Sequence, residues 1–348
     1  RAEVLLTIAE AVEQRIDDVV EIWPRETGIL ASSVGVVMQE VIETYRYYAG
    51  LATDFAFAEE VAPTNGAAFG MIVKEPVGVV GAIIPWNSPM GLLAWKVAPA
   101  LLAGCTVVVK CSPEAPGAGY IMAEIADTIG LPPGVLNVVT AEREASEALV
   151  RDPRVDKIAF TGSTEAGKRI GGILGGRIAR SSLELGGGKS PAIVLDDFDV
   201  ADAARIIAAA ECFLSGGQIC ASLTRVIVPE ERHDAMVAAL AEEFSRVTIG
   251  GIRTIRRRGW GPVATARQRA RVQDYIEIGR QEGAELAYGR RPSGSPRQRL
   301  VRRADGLREG GPWSRDSVRR RSSVRCWRSS PPGISMTRSG SRTPPSSA

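Results

Sequence analysis

With 348 residues and 45% apolar content, the chain has the length for two domains and a large buried core. It holds no apolar run near the roughly 20 residues of a membrane helix, and its five cysteines, Cys105, Cys111, Cys212, Cys220 and Cys326, show no CxxC pair and no metal-ligand spacing, which excludes a disulfide framework and fits a reducing, cytoplasmic compartment. The net charge of +3 hides a split: residues 1–250 hold 20 Lys and Arg against 33 Asp and Glu, a net −13, while residues 251–348 hold 23 against 7, a net +16, and all 23 are Arg.

The chain opens on Arg1, not Met, and no signal peptide is visible. From residue 3 to 23, Val4, Leu5, Ile8, Ala11, Val12, Ile16, Val19 and Val20 recur near 3.6-residue spacing and predict one amphipathic helix. A second helix is expected from about Leu30 to Ala52, its Tyr45, Tyr47 and Tyr48 read as core. Pro63 to Lys74 reads as an exposed hairpin turning at Asn65-Gly66. Val77 to Ile84 is then a continuous apolar run, the pattern of a strand buried on both faces. A helix over Leu92–Leu102 follows, then a strand over Thr106–Lys110, a helix over Gly119–Ile129, a strand over Val135–Val139, a helix over Ala145–Val150 and a strand over Lys157–Phe160. Ser182–Leu185 precedes a glycine run, Ala192–Leu195 is a further strand, and Ile206–Ala210 is helix-like. Such alternation implies a parallel α/β sheet, whose ligands bind beyond the C-terminal strand ends.

The unusual residues fall at those ends. Asn87 follows strand and proline directly; a carboxamide there can donate to an oxyanion or close an Asx turn. Lys110 closes an apolar strand, where an ammonium reaches a ribose hydroxyl or phosphate, or simply snorkels to solvent. Phe160-Thr161-Gly162-Ser163-Thr164 reads as strand, tight turn and helix start, suited to a pyrophosphate or to a plain N-cap. Glu184, between Leu183 and Leu185, is expected to be partly desolvated and raised toward general-base range, or else to be an ordinary salt-bridged glutamate. Ser215-Gly216-Gly217-Gln218-Ile219-Cys220-Ala221 puts one cysteine in a glycine-softened loop, open to substrate if it is not simply a structural free thiol. His233, the only histidine, reads as a solvated helix start, which argues against Ser-His-Asp chemistry.

Together and in this order, Pro85-Trp86-Asn87, Phe160-Thr161-Gly162-Ser163-Thr164, Leu183-Glu184-Leu185-Gly186-Gly187 and Gly217-Gln218-Ile219-Cys220 resemble the aldehyde dehydrogenase superfamily, over about residues 1–250 and again 261–289. The resemblance implies an α/β fold: a Rossmann-type parallel-sheet cofactor domain at 1–60 and 77–187, a hairpin arm for oligomer contacts at 61–76, an incomplete α/β catalytic domain at 188–289, and an Arg-rich tail at 290–348. It implies Cys220 as nucleophile, Glu184 as general base and Asn87 as oxyanion donor beside the Cys220 backbone N–H. Pro85, Trp86, Lys110, Ser112, Glu114, Gly162, Ser163, Leu185 and Gly186 match contacts to NAD or NADP. The implied reaction is oxidation of an aldehyde to a carboxylic acid through a thiohemiacetal and a thioester; an acylating, coenzyme-A-dependent relative would need no base for water, so Glu184 favours hydrolytic release. The implied partners are a small-molecule aldehyde and further copies of the chain, as a homo-dimer or homo-tetramer, with no nucleic acid, membrane or metal. Three departures stand out. Gly186-Gly187-Gly188-Lys189 has three glycines where the family pattern usually has two. Thr140 to Ser146 replaces a glycine-containing stretch. Pro113, with Glu114 one place later, stands where NAD-preferring members often have glutamate, so NAD versus NADP stays open.

The tail departs from the resemblance altogether. A reading-frame slip is one explanation: synonymous codons for 251–260, 299–307 and 319–327 can be chosen so that a shifted frame reads Asp-Pro-His-Asp-Pro-Ala-Thr-Arg-Met, Gly-Trp-Phe-Val-Glu-Pro-Thr-Val and Glu-Glu-Ile-Phe-Gly-Pro-Val-Leu, strings similar to the family's and in family order. The tail as written is poor in apolar residues and is expected to be disordered. Without the family's late glutamate and C-terminal strand, the chain is expected to be inactive or impaired. Two other readings stand beside this one: a non-catalytic dinucleotide-binding fragment, and an Arg-rich nucleic-acid-binding tail on an enzyme-like body, for which stacking aromatics are scarce.

Overall fold

A computed structural model describes residues 1–64, 66–186, 189–213, 217–251, 259–289, 306–308 and 325–329. Asn65, Gly187, Gly188, Ser215, Gly216 and most of 290–348 lie outside the described residues.

The first 54 residues form three helices, α1 (Ala2–Gln14), α2 (Ile16–Thr27) and α3 (Ala31–Asp54). Where the apolar spacing predicts one helix over 3–23, the chain breaks at Arg15, which has φ −106° and ψ 13°. The apolar pattern runs from Val12 to Ile16 without a gap, so periodicity cannot register the bend. Arg15 is anchored there by ion pairs to Asp18 and, at 2.7 Å, to Glu124. At the end of α2, Gly28 adopts φ 81°, and a Cβ there would lie 1.8 Å from the Pro262 carbonyl oxygen. Only glycine satisfies both conditions. The hairpin pairs β1 (Ala58–Val61) with β2 (Gly70–Val73), so its limbs begin earlier than Pro63 and its connection is longer than a two-residue Asn-Gly turn.

Strands β3 (Val79–Ile83), β4 (Thr106–Cys111), β5 (Leu136–Thr140), β6 (Lys157–Gly162) and β7 (Arg180–Leu185) form an all-parallel sheet in the order β5-β4-β3-β6-β7. Their crossovers carry α4 (Pro89–Ala103), α5 (Gly117–Thr128), α6 (Arg143–Arg151) and α7 (Thr164–Arg177). One face of the sheet shares a core with α1, α3, α4 and α5, built on Leu5, Tyr45, Leu93, Val107 and Val109. The other packs Ile83, Ile158, Phe160, Ile170 and Leu174 against α6 and α7. Coverage on both faces explains the unbroken apolar runs, and each fully buried Val, Leu or Ile contributes about 1.5–3 kcal/mol.

The second sheet has the order β12-β13-β14-β9-β8, from β8 (Pro191–Ile193), β9 (Arg225–Pro229), β12 (Glu285–Tyr288), β13 (Gly306–Arg308) and β14 (Arg325–Ser329). Helices α8 (Val200–Phe213) and α9 (His233–Ser245) join it, and β10 (Thr248–Ile249) pairs in parallel with β11 (Gly259–Trp260) ahead of α10 (Ala266–Gln281). Two of these strands, β13 and β14, fall inside the tail expected to be disordered. Their pairing is a backbone ladder, Arg325–Ser329 lying parallel to Arg225–Pro229, and ladder bonds do not depend on apolar content. His233 also departs from expectation: at 1% exposure it is buried, its Nδ1 2.9 Å from Asp234, because the helix start it occupies packs inward rather than facing water. Among the described residues no helix is long and apolar enough to cross a membrane.

Candidate active site

The carboxyl ends of the parallel sheet gather most of the expected cofactor residues. β3 runs into Pro85, Trp86 and Asn87, β4 into Ser112 and Glu114, β6 into Ser163, and β7 into Gly186. Strand order reverses at β3 and β6, the position where doubly wound sheets open a crevice for a dinucleotide. Ser163 caps α7, its Oγ accepting from the Ala166 N–H at 3.3 Å. A helix start leaves further N–H groups without intrahelical partners, which suits an anion. Gly162 has no room for a side chain, since a Cβ would lie 2.5 Å from the Phe160 ring, and Gly167 lets Leu185 close onto α7.

Lys110 is half-buried at the end of β4. Burial lowers its ammonium pKa, and the neighbouring Glu114 opposes that shift. Glu114 accepts hydrogen bonds from the Ser112 hydroxyl and from Arg267 of α10. Burial pushes its carboxyl up, but the Ser112 bond together with Arg267 and Lys110 outweighs burial and holds it below the usual carboxylate range.

A side-chain hydrogen bond ties the thiol loop to the segment that follows β3. Asn87 Nδ2 donates to the Gln218 carbonyl at 2.8 Å, two residues before Cys220, across 131 positions of sequence. Cys220 is exposed, whereas Cys105 and Cys111 are buried. A carboxamide nitrogen carries two hydrogens, and the Gln218 carbonyl takes one of those of Asn87.

The family model for aldehyde dehydrogenases matches residues 1–302. This chain belongs to the aldehyde dehydrogenase family. It is 40% identical over 294 residues to the geranial dehydrogenase of Castellaniella defragrans, which covers 84% of this chain and 61% of that protein. It is 34% identical over 290 residues to the betaine aldehyde dehydrogenase of Bacillus subtilis, covering 83% of this chain and 58% of that protein. Among solved structures, the betaine aldehyde dehydrogenase of Staphylococcus aureus in complex with NAD+ superposes with a TM-score of 0.87 at 27% identity, covering 94% of this chain and 65% of that one. The NAD-dependent aldehyde dehydrogenase of Sinorhizobium meliloti gives 0.85 at 30% identity, covering 94% and 65%. The chain thus spans about three fifths of the length of the curated relatives it matches.

In this member of the family Glu184 departs from its expected setting. Leu183 and Leu185 project toward α7, where they approach Gly171 and Gly167. Strand alternation therefore turns Glu184 to the opposite face, and its side chain is exposed. The leucine neighbours therefore do not enclose it. Glu184 lies across the ladder from Thr161, and its carboxylate makes no hydrogen bond to Cys220 or Asn87 among the described residues.

Four contributors were not singled out in the sequence. Lys96, on α4, donates to Thr161 Oγ1 at 2.8 Å. Burial lowers its ammonium to about 8 although Glu184 pulls the other way; a lone charge on an apolar helix was the available signal. Lys189 Nζ donates to the carbonyls of Cys220 at 3.0 Å and Ser222 at 2.7 Å. The Gln218 side chain donates to the Thr27 carbonyl at 3.2 Å and accepts from the Ala264 N–H at 3.0 Å. Arg267, on Glu114, carried no sequence signal at all.

Proposed function

We propose that this chain carries a site for NAD(P)+-dependent oxidation of an aldehyde to its carboxylic acid. The observation behind the reading is the Asn87–Gln218 hydrogen bond of 2.8 Å, which joins a carboxamide to the loop of an exposed cysteine. The Cys220 sulfur adds to the carbonyl carbon: the C–S bond forms, the C=O π pair moves to oxygen, and the thiol proton leaves to solvent. Asn87 and the Cys220 N–H donate to that oxygen. Lys110 and the first turn of α7 fit a dinucleotide, holding ribose and pyrophosphate; when bound, the nicotinamide supplies the hydride acceptor. The acyl group is then a thioester on Cys220. Glu184, exposed at the end of β7, takes a proton from water, whose oxygen adds to the thioester carbon; the C–S bond breaks and the acid leaves.

The cytoplasm is the proposed compartment. Exposed Phe69, Met71, Ile72 and Val73 on the hairpin support association with a second copy. The 348-residue chain is proposed to turn over poorly: the family match ends at residue 302, and the Arg-only tail follows the resemblance break.

The test compares this chain with one whose reading frame is restored after 250, using a panel of aldehydes with NAD+ and NADP+ and following nicotinamide absorbance. The restored chain is expected to oxidise aldehydes and its Cys220→Ser variant to fall by about 10⁴-fold or more, since the nucleophile is lost. A serine variant with full activity would sink the reading, and an equally active 348-residue chain would sink the impairment.

A further inference from the structure

Cys220 is bracketed by anchored backbone. Two residues before it, the Gln218 carbonyl accepts from Asn87, while the Gln218 side chain is clamped between Thr27 at 3.2 Å and Ala264 at 3.0 Å. At Cys220 itself and two residues after it, the carbonyls accept from Lys189 Nζ at 3.0 and 2.7 Å. Lys189 is one of two non-glycine residues with positive φ among the described residues, at 49°. That conformation is unfavourable for a residue with a Cβ and persists where surroundings over-determine it. Here Arg225 Nε supplies the constraint, donating to the Lys189 carbonyl at 3.0 Å. An ammonium has three donors, and two of them are spent on the thiol loop.

None of these bonds engages the sulfur. Their effect is on peptide planes. Because the peptide unit is planar and trans, fixing the carbonyls of Gln218 and Cys220 fixes the units on either side of the Ile219–Cys220 peptide. The N–H of that middle peptide is the donor that the oxidation reading pairs with Asn87. We propose that Lys189 and Gln218 are positioning residues that hold this N–H and the Cys220 side chain in register for thiohemiacetal formation. The inference rests on the oxidation reading above and concerns its first covalent step.

The experiment measures carbamidomethylation of Cys220 in the full 348-residue chain, with and without propanal as the reversible competitor. Wild type is expected to be protected by propanal. Lys189→Met and Gln218→Ala are expected to alkylate within about twofold of wild type when propanal is absent, yet to need about tenfold more propanal for half-protection, because the oxyanion donors are misplaced while the thiol stays accessible. Lys189→Arg, which again offers two donors, is expected to recover most of the protection. Equal protection of wild type and both variants overturns the positioning role and leaves the oxidation reading standing. Absence of protection in wild type overturns the oxidation reading and this inference with it. Circular dichroism identifies a variant that fails to fold; if one does, the other decides.

Discussion

Lys96 is the one charged side chain on α4, and removal from water is the largest influence on it, bringing its ammonium from 10.5 to about 8. A depressed lysine means the fold binds its proton less tightly than the unfolded chain does. Between about pH 8 and 10.5 the unfolded chain therefore holds more protons, and stability contributed by this group rises with pH across that window. Lys96→Met removes the contribution. Denaturant midpoints of wild type and variant, compared at both edges of the window, should show wild type gaining on the variant as pH rises; parallel trends would contradict the assignment. A second expectation concerns the thiols. Burial pushes Cys111 up to about 11, and Cys105 is also buried, whereas Cys220 is exposed. Peptide mapping after brief alkylation near neutral pH should find Cys220 modified well ahead of both. At this scale short motifs draw the eye to Cys220 and Asn87, and the structure shows the first exposed and the second bonded to its loop. The sequence misled on the burial of Glu184, which is exposed, since neighbours along a strand are not neighbours in space. Lys189 and Gln218 were invisible as clamps because their contacts span 31 and 191 positions.

Strands β3 to β6 of the parallel sheet are legible to within about two residues, because apolar runs bounded by Pro and Gly leave few alternatives, whereas β7, with its exposed polar start, carries no strand reading in the sequence. The break at Arg15 was missed for the reason that made the helix visible: α1 and α2 share one continuous apolar phase. The second sheet was read least well, as β8 and β9 are short and its other strands pair across long separations. The α2–α3 junction offers a sharp test. Gly28→Ala adds a Cβ 1.8 Å from a backbone carbonyl at φ 81°, and should lower the unfolding free energy by about 2 kcal/mol or more. An unchanged denaturant midpoint would show that this close approach does not exist in solution. On the hairpin, Met71→Lys with Ile72→Lys should shift the frame-restored protein toward monomer in light scattering, since both side chains are about half exposed on the isolated arm. If the assembly is unaffected, the arm does not mediate it.

Across the whole molecule the charge is split, a net −13 over residues 1–250 and +16 over 251–348, and the basic excess begins inside the region that the family model matches, which runs to residue 302. Tail basicity should make any nucleic-acid binding steeply salt-sensitive, and a gel-shift series at increasing salt would distinguish counterion-driven adhesion from a dedicated binding surface. The amide of Gln218 reaches back to Thr27 at 3.2 Å, beside the glycine that rests on Pro262. That bond ties the end of α2 to the loop of Cys220, so on the oxidation reading the amino end and the reacting thiol share a support. A fusion partner, a trimmed amino end or a protease nick within the first 27 residues should loosen the thiol loop from afar, and amide exchange at Ile29 and Leu30 should report whether an aldehyde has docked.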